Sequence, residues 1–208
     1  MTLTDRTVSD LLAAFRSSDP TPGGGSASAL AGAVGASLLA MVAGIPTPRA
    51  TTKQDVERLD AAGARCGELS ARMSELIDRD SAAYELVVAA YRLPKATDAE
   101  KAKRSARIQE ALRAAIEAPL EVMRACSGAV EQAVTIAAYG NSNASSDVLV
   151  GLELLGAGLR GAKLNVEINL GSVKDQEYAG KTRETIDQLI EETAGGVAAA
   201  RSRLTEGR

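Results

Sequence analysis

Two aspartates stand where a carboxylate can do chemistry. From about Thr52 the chain carries Val56, Leu59, Cys66, Leu69, Met73 and Leu76 at near-heptad spacing, the pattern of a long helix with one apolar seam. Continuing the seam by alternate steps of three and four residues lands on Asp80. A seam carboxylate is costly unless it is paired or hydrogen-bonded. Asp80 therefore has a Lys or Arg partner, sits at a kink that turns it outward, or works as a proton acceptor. The second candidate, Asp147, follows the helix stop Gly140-Asn141-Ser142-Asn143, with Ser145 or Ser146 as the next cap. A negative charge in that first turn also complements the helix dipole. Further along, Asn165 and Asn169 lie four apart on one helix face. They can line a polar cavity, face solvent or cap the helix end. The chain has no histidine, which excludes Ser-His-Asp triads, Cys-His pairs and HExxH zinc sites. Any proton transfer falls to Asp, Glu, Lys, Tyr, Cys, a backbone group or water.

These groups need elements to hold them, and the stretch from Asp19 to Ile45 is the most distinctive. Pro20 and Pro22 fix two φ angles, and Gly23, Gly24 and Gly25 can take conformations closed to residues with a Cβ. A helix is predicted to start just after them. Its residues Ser26 to Ile45 carry no charge, a length that could cross a bilayer. The spacing instead predicts a helix of a soluble bundle. Leu30, Val34, Leu38, Met41, Val42 and Ile45 form a large apolar stripe, while Ser28, Gly32, Ala36, Ala40 and Gly44 form a bare row that lets another backbone approach. The N–H groups at the start of this helix can meet an anion or a flat polar ligand. The residues match neither a Walker loop nor a Rossmann fingerprint.

Elsewhere Thr4 is a plausible cap for a first helix running to about Ser18, and Pro46 and Pro48 break the chain before the long seam helix. Leu93-Pro94-Lys95 ends that helix, and Thr97 with Glu100 reads as a capping box for the next, in which Pro119 predicts a kink. The charges from Glu100 to Arg107 read as a solvated face. Ser172 is expected to cap the last helix. No segment alternates with period two, so the expected fold is all-α: an elongated bundle of five to six helices, two of them about forty residues long. Helices of about 60 Å exceed a compact domain of this size, which predicts a homodimer, with the bare row as one candidate surface. The length of 208 residues suits a single domain over residues 1–208. A net charge of −3 and 2% aromatic content disfavour nucleic acid. Cys66 and Cys126 suit neither a disulfide framework nor a zinc site, and no metal site is expected. The first residues lack a basic and apolar leader, so a cytoplasmic location is expected.

Several blocks in order give these residues a resemblance. They are PTPGGGSASA at 20 to 29, Asp78-Arg79-Asp80 with Tyr84, RLPKATDAEK at 92 to 101 and IQEALRAA at 108 to 115 with Pro119-Leu120. GNSNASSDV at 140 to 148 and LNVEINL at 164 to 170 follow. Together they resemble the cyclodeaminase/cyclohydrolase family of folate enzymes, which includes the cyclodeaminase half of formiminotransferase-cyclodeaminase and stand-alone methenyltetrahydrofolate cyclohydrolases. The resemblance implies an all-helical dimer that acts on a tetrahydrofolate one-carbon adduct, with the folate as substrate and no further cofactor, and without nucleic-acid or membrane partners. It implies that water opens the amidinium carbon of 5,10-methenyltetrahydrofolate to give 10-formyltetrahydrofolate, or that a formimino group cyclises with loss of ammonia. Asp80 would face the cationic carbon and take a proton, with Asp147 as second carboxylate. Asn141, Asn143, Asn165 and Asn169 would pair with pterin edges, Gly23, Gly24 and Gly25 would let the ring approach backbone, and Arg49 or Lys95 would meet the glutamate tail. After the second helix the family has a glycine, two or three basic residues and an aromatic, whereas Pro48-Arg49-Ala50-Thr51-Thr52 keeps one basic residue and no aromatic. A folate-binding or helical assembly protein without catalysis is the alternative of another class.

Overall fold

A computed structural model describes residues 2–206; Met1, Gly207 and Arg208 of the expected 1–208 unit lie outside it. Six helices and one short 3₁₀ turn make up the order: α1 Val8–Phe15, α2 Gly24–Ala43, α3 Lys53–Tyr91, α4 Asp98–Tyr139, the turn Ser142–Ala144, α5 Ser145–Leu170 and α6 Gln176–Glu206. No strand occurs among the described residues. The two long helices predicted by the seam span 39 and 42 residues. Helices α2, α3, α4 and α5 close a four-membered bundle in which each touches the next, and α6 lies along α4.

The helix starts follow local hydrogen-bond chemistry. Thr52 with Asp55 and Thr97 with Glu100 form complete capping boxes at α3 and α4, each satisfying N–H groups that the helix leaves unpaired. Three expected caps move. Thr7, not Thr4, caps α1 by accepting the Asp10 N–H at 3.2 Å. The Thr4 hydroxyl instead donates to Asp78, which also accepts the Leu3 N–H. At α6, Asp175 rather than Ser172 accepts the Tyr178 N–H at 3.0 Å. Ser145 and Ser146 lie inside α5.

Helix α2 corrects a larger expectation. The first three residues of the bare row face inward, against the neighbouring helices of the same chain, and the large stripe is split, with Val34 and Met41 outward and Val42 buried. Ser28, Gly32 and Ala36 are buried, while Val34 and Met41 are 44% and 46% exposed. The reason is backbone proximity. A Cβ on Gly35 would lie 2.8 Å from the Gly151 carbonyl oxygen, and one on Gly158 would lie 2.9 Å from that of Ser28. The α2–α5 contact is too close for larger side chains at these positions, which only glycine and small residues can fill. The helix is long and apolar enough to span a membrane, yet a little over half of it is buried against α3, α4 and α5.

Candidate active site

At the N-terminal end of α2 a cavity of about 440 Å³ opens between four segments. Pro20 to Gly25 form one wall; Asp80, Tyr84, Val87 and Tyr91 of α3 another; Leu112 and Ala115 of α4 and Asn165, Ile168 and Asn169 of α5 complete it. The α3 residues are the seam itself, continued beyond Leu76. Below Asp80 the seam faces core; from Asp80 onward it faces the cavity.

Asp80 has neither of the expected basic partners. The neighbouring Arg79 pairs with Glu121 at 2.9 Å. Instead Asp80 Oδ2 accepts the Ser26 N–H at 2.8 Å and the Ser26 hydroxyl at 3.1 Å. Gly23, the N-cap of α2, has no side chain to bond the first turn, so a carboxylate from another helix does the capping. That approach explains Gly25, where a Cβ would lie 2.1 Å from Asp80 Oδ1. The glycines are not needed for unusual dihedrals, as no glycine among the described residues has positive φ. Their use is clearance. Burial pushes the Asp80 carboxyl above its ordinary value of 3.8, and the two Ser26 hydrogen bonds oppose this.

The two α5 amides are oriented by backbone. Asn165 Nδ2 donates to the Gly161 carbonyl at 2.9 Å. Asn169 Nδ2 donates to the carbonyls of Asn165 at 2.9 Å and Ala115 at 3.1 Å. The Ala115 carbonyl is available because residue 119, whose N–H would otherwise take it, is proline. Asn169 so uses both its N–H groups and Asn165 one of its two, and the oxygens of both amides remain as acceptors at the cavity wall.

Lys95 lies next door. It lines an adjoining cavity of about 450 Å³ with Lys101, Arg104 and Lys174, and the two cavities share Tyr91 and Ser172. The other expected site residues are elsewhere. Arg49 donates to the Ala137 carbonyl at 3.0 Å and lines a separate cavity of about 520 Å³ with Arg58 and Arg203. Asn141 donates to the Pro46 carbonyl at 2.7 Å and accepts the Asn143 N–H. Asn143 is exposed, and Asp147 is half-buried in the first turn of α5. All four stand at the C-terminal end of α2, about 30 Å from Asp80 by the length of that helix. Within one chain they do not reach the Asp80 cavity. Cys66 and Cys126 are buried, and burial pushes both thiols up to about 12, which leaves them inert.

Sequence reasoning gave Ser26, Tyr91, Arg104 and Lys174 no role at this site. Tyr84 and Tyr91 were detectable, since they continue the seam four and eleven residues beyond Asp80. Ser26 was not, because its partner is 54 residues away.

The chain is 36% identical over 195 residues to a methenyltetrahydrofolate cyclohydrolase of Methylorubrum extorquens, covering 90% of each chain. It is 34% identical over 187 residues to a formimidoyltransferase-cyclodeaminase of Sus scrofa, of which it spans 34% of the length. A crystal structure of a formiminotetrahydrofolate cyclodeaminase from Thermotoga maritima shares the fold, with a TM-score of 0.82, 24% identity and coverage of 97% of this chain and 96% of that one. The formiminotransferase-cyclodeaminase family model matches residues 7–188, and the chain belongs to that family.

Proposed function

We propose that the protein hydrolyses 5,10-methenyltetrahydrofolate to 10-formyltetrahydrofolate at the Asp80 cavity, with no cofactor besides the folate substrate. The observation that carries this is a carboxylate with no basic partner among the described residues, held by one oxygen and facing a cavity large enough for a fused ring. One relative of similar length, the methenyltetrahydrofolate cyclohydrolase of Methylorubrum extorquens, matched over 90% of each chain, supports the hydrolytic direction.

The substrate carbon between N5 and N10 is an amidinium and carries positive charge. The Asp80 carboxylate stabilises that cation by charge and draws water to it. As the water oxygen bonds to the carbon, its proton passes to Asp80, which is predisposed to accept one because burial disfavours its charge. The tetrahedral carbon then collapses to a formyl group on N10. The carbon–N5 bond breaks, its electron pair stays on N5, and N5 takes up a proton while the hydroxyl on the carbon loses its own to form the carbonyl, so that of the two protons of water one ends on N5 and the other leaves to solvent. The oxygens of Asn165 and Asn169 accept from pterin N–H groups, and Tyr84 and Tyr91 offer aromatic faces beside the ring system. The glutamate tail extends toward Lys95, Arg104 and Lys174. Loss of the methenyl absorption on adding pure protein, above the uncatalysed rate, tests the proposal. Ammonia release from 5-formiminotetrahydrofolate would assign the cyclodeaminase reaction instead, and binding without turnover of either compound would leave a folate-binding protein.

A further inference from the structure

Ser26 is fully buried in the first turn of α2, and its hydroxyl has more partners than protons. Its Oγ lies 2.8 Å from the Ile77 carbonyl oxygen, 3.1 Å from Asp80 Oδ2 and 3.2 Å from the Ser81 hydroxyl. A hydroxyl donates one hydrogen bond and accepts two. The carbonyl and the carboxylate only accept, so the Ser26 proton serves one of them at a time, while the Ser81 hydroxyl is free to donate into a Ser26 lone pair. The Ser26 N–H behaves differently. It meets Asp80 Oδ2 at 2.8 Å and is fixed there by the helix.

The charge on Asp80 decides which acceptor the hydroxyl serves. A hydrogen bond to an ionised carboxylate is roughly twice as strong as one between neutral groups, so ionised Asp80 holds the hydroxyl proton. Once Asp80 carries a proton on the oxygen at the cavity, that advantage is gone, and the nearer Ile77 carbonyl wins. Rotation about Cβ–Oγ moves only a hydrogen. Ile77 lies four residues before Ser81 inside α3, so its carbonyl keeps a helical donor when the hydroxyl leaves it.

Few other groups compete for this control. Arg79 is paired with Glu121, and Asp78 accepts the Leu3 N–H and the Thr4 hydroxyl. Helix α2 carries no charge. The α4 and α5 residues at the cavity are apolar or amides, and Lys163 of α5 is paired with Glu167. Tyr84 and Tyr91 are the other ionisable side chains at the cavity wall, and Lys95, Lys101, Arg104 and Lys174 stand in the adjoining cavity.

We propose that Ser26 is a positioning residue for the Asp80 base: its hydroxyl donates to Asp80 while the carboxylate is ionised and turns to the Ile77 carbonyl once Asp80 has taken a proton. The first state keeps a buried carboxylate charged until water attacks. The second leaves no buried donor unpaired after proton transfer. Both keep the heavy atoms in place. The reaction in this proposal rests on the folate-enzyme reading; the two acceptors of the hydroxyl do not.

Ser26→Ala removes the hydroxyl and keeps the N–H. With one donor fewer for the charged form, the Asp80 pKa should rise by about one unit. Carbon NMR titration of aspartate-labelled protein without substrate reads this, the signal being assigned by its loss in Asp80→Asn. Ser26→Cys, whose thiol is a weaker donor, should shift the pKa in the same direction by less. The melting temperature of Ser26→Ala should fall further below wild type at a pH where Asp80 is ionised than where it is protonated. In turnover of methenyltetrahydrofolate the acid limb of kcat/KM should move up with the NMR value, while the plateau of kcat at high pH stays within about threefold. An unchanged or lowered Asp80 pKa in both folded variants overturns the proposal, and is what a hydroxyl that only caps α2 predicts. So does a melting difference that is the same at both pH values. A raised Asp80 pKa in a protein that turns over neither folate supports the hydroxyl's role and refutes the folate reading alone. Turnover with an unmoved pKa does the reverse.

Discussion

Asp80 uses one oxygen to cap α2 and leaves the other at the cavity. Replacing it with Asn keeps an oxygen that can accept the Ser26 N–H but removes the base. Asp80→Asn is expected to lower kcat by about 10²- to 10⁴-fold, as measured by loss of methenyl absorbance. Stability should move the other way. Because burial raises the native pKa above 3.8, the folded state holds a proton that the unfolded state has released. The contribution of Asp80 to stability is therefore present below the unfolded value and lost as pH rises through the native one. Above that window the variant should melt no lower than wild type, and thermal unfolding at neutral pH checks this. At Gly25 a methyl group would collide with Asp80 Oδ1, so Gly25→Ala should displace the carboxylate and lower kcat at least tenfold while far-UV circular dichroism stays helical. The unusual position of Asp80 was legible as a break in an apolar seam. Its partner was not, because a hydrogen bond between residues 26 and 80 leaves no spacing to read.

At the scale of elements, the site depends on one helix supplying what another lacks. Pro119 deprives the Ala115 carbonyl of its helical donor, and the Asn169 amide takes its place. Pro119 is thus a positioning residue for Asn169. In Pro119→Ala the restored N–H competes for the carbonyl, so α4 should gain stability while Asn169 loses its anchor. The expected result is a higher melting temperature with KM raised about three- to tenfold and kcat little changed, read from steady-state kinetics beside a melting curve. The proline was expected to kink α4; its visible effect is a hydrogen bond across to α5. The capping box at Thr97 was read from the sequence, since donor and acceptor lie three residues apart; the one at Thr52 has the same spacing and appeared only with the structure. The caps misplaced at Thr4 and Ser172 are cases where several local oxygens competed, and tertiary partners such as Asp78 decided.

Over the whole molecule, charge continues from the Asp80 cavity into the basic one beside it. Lys174 donates to Ser105 at 2.8 Å and Arg104 lies over the Tyr91 ring with 5.4 Å to its centroid, so both are held at the wall rather than free in solvent. Lys174→Ala together with Lys95→Ala should raise KM for a glutamate-bearing folate, with kcat nearly unchanged. The difference should shrink as salt is added, because exposed charge pairs are screened. A substrate lacking the tail should show no difference between variant and wild type.

The sequence by itself determined the helical class, the two long helices, the seam carboxylate and the folate-enzyme resemblance, because periodicity, caps and ordered motif blocks are properties of neighbours along the chain. Only the tertiary structure decided which face of α2 is inside. Both of its faces are uncharged, and the choice turns on how closely two backbones approach at Gly35 and Gly151. It likewise separated Asp147 from Asp80 within one chain, since two motif blocks can belong to one family signature while standing at opposite ends of the same pair of helices.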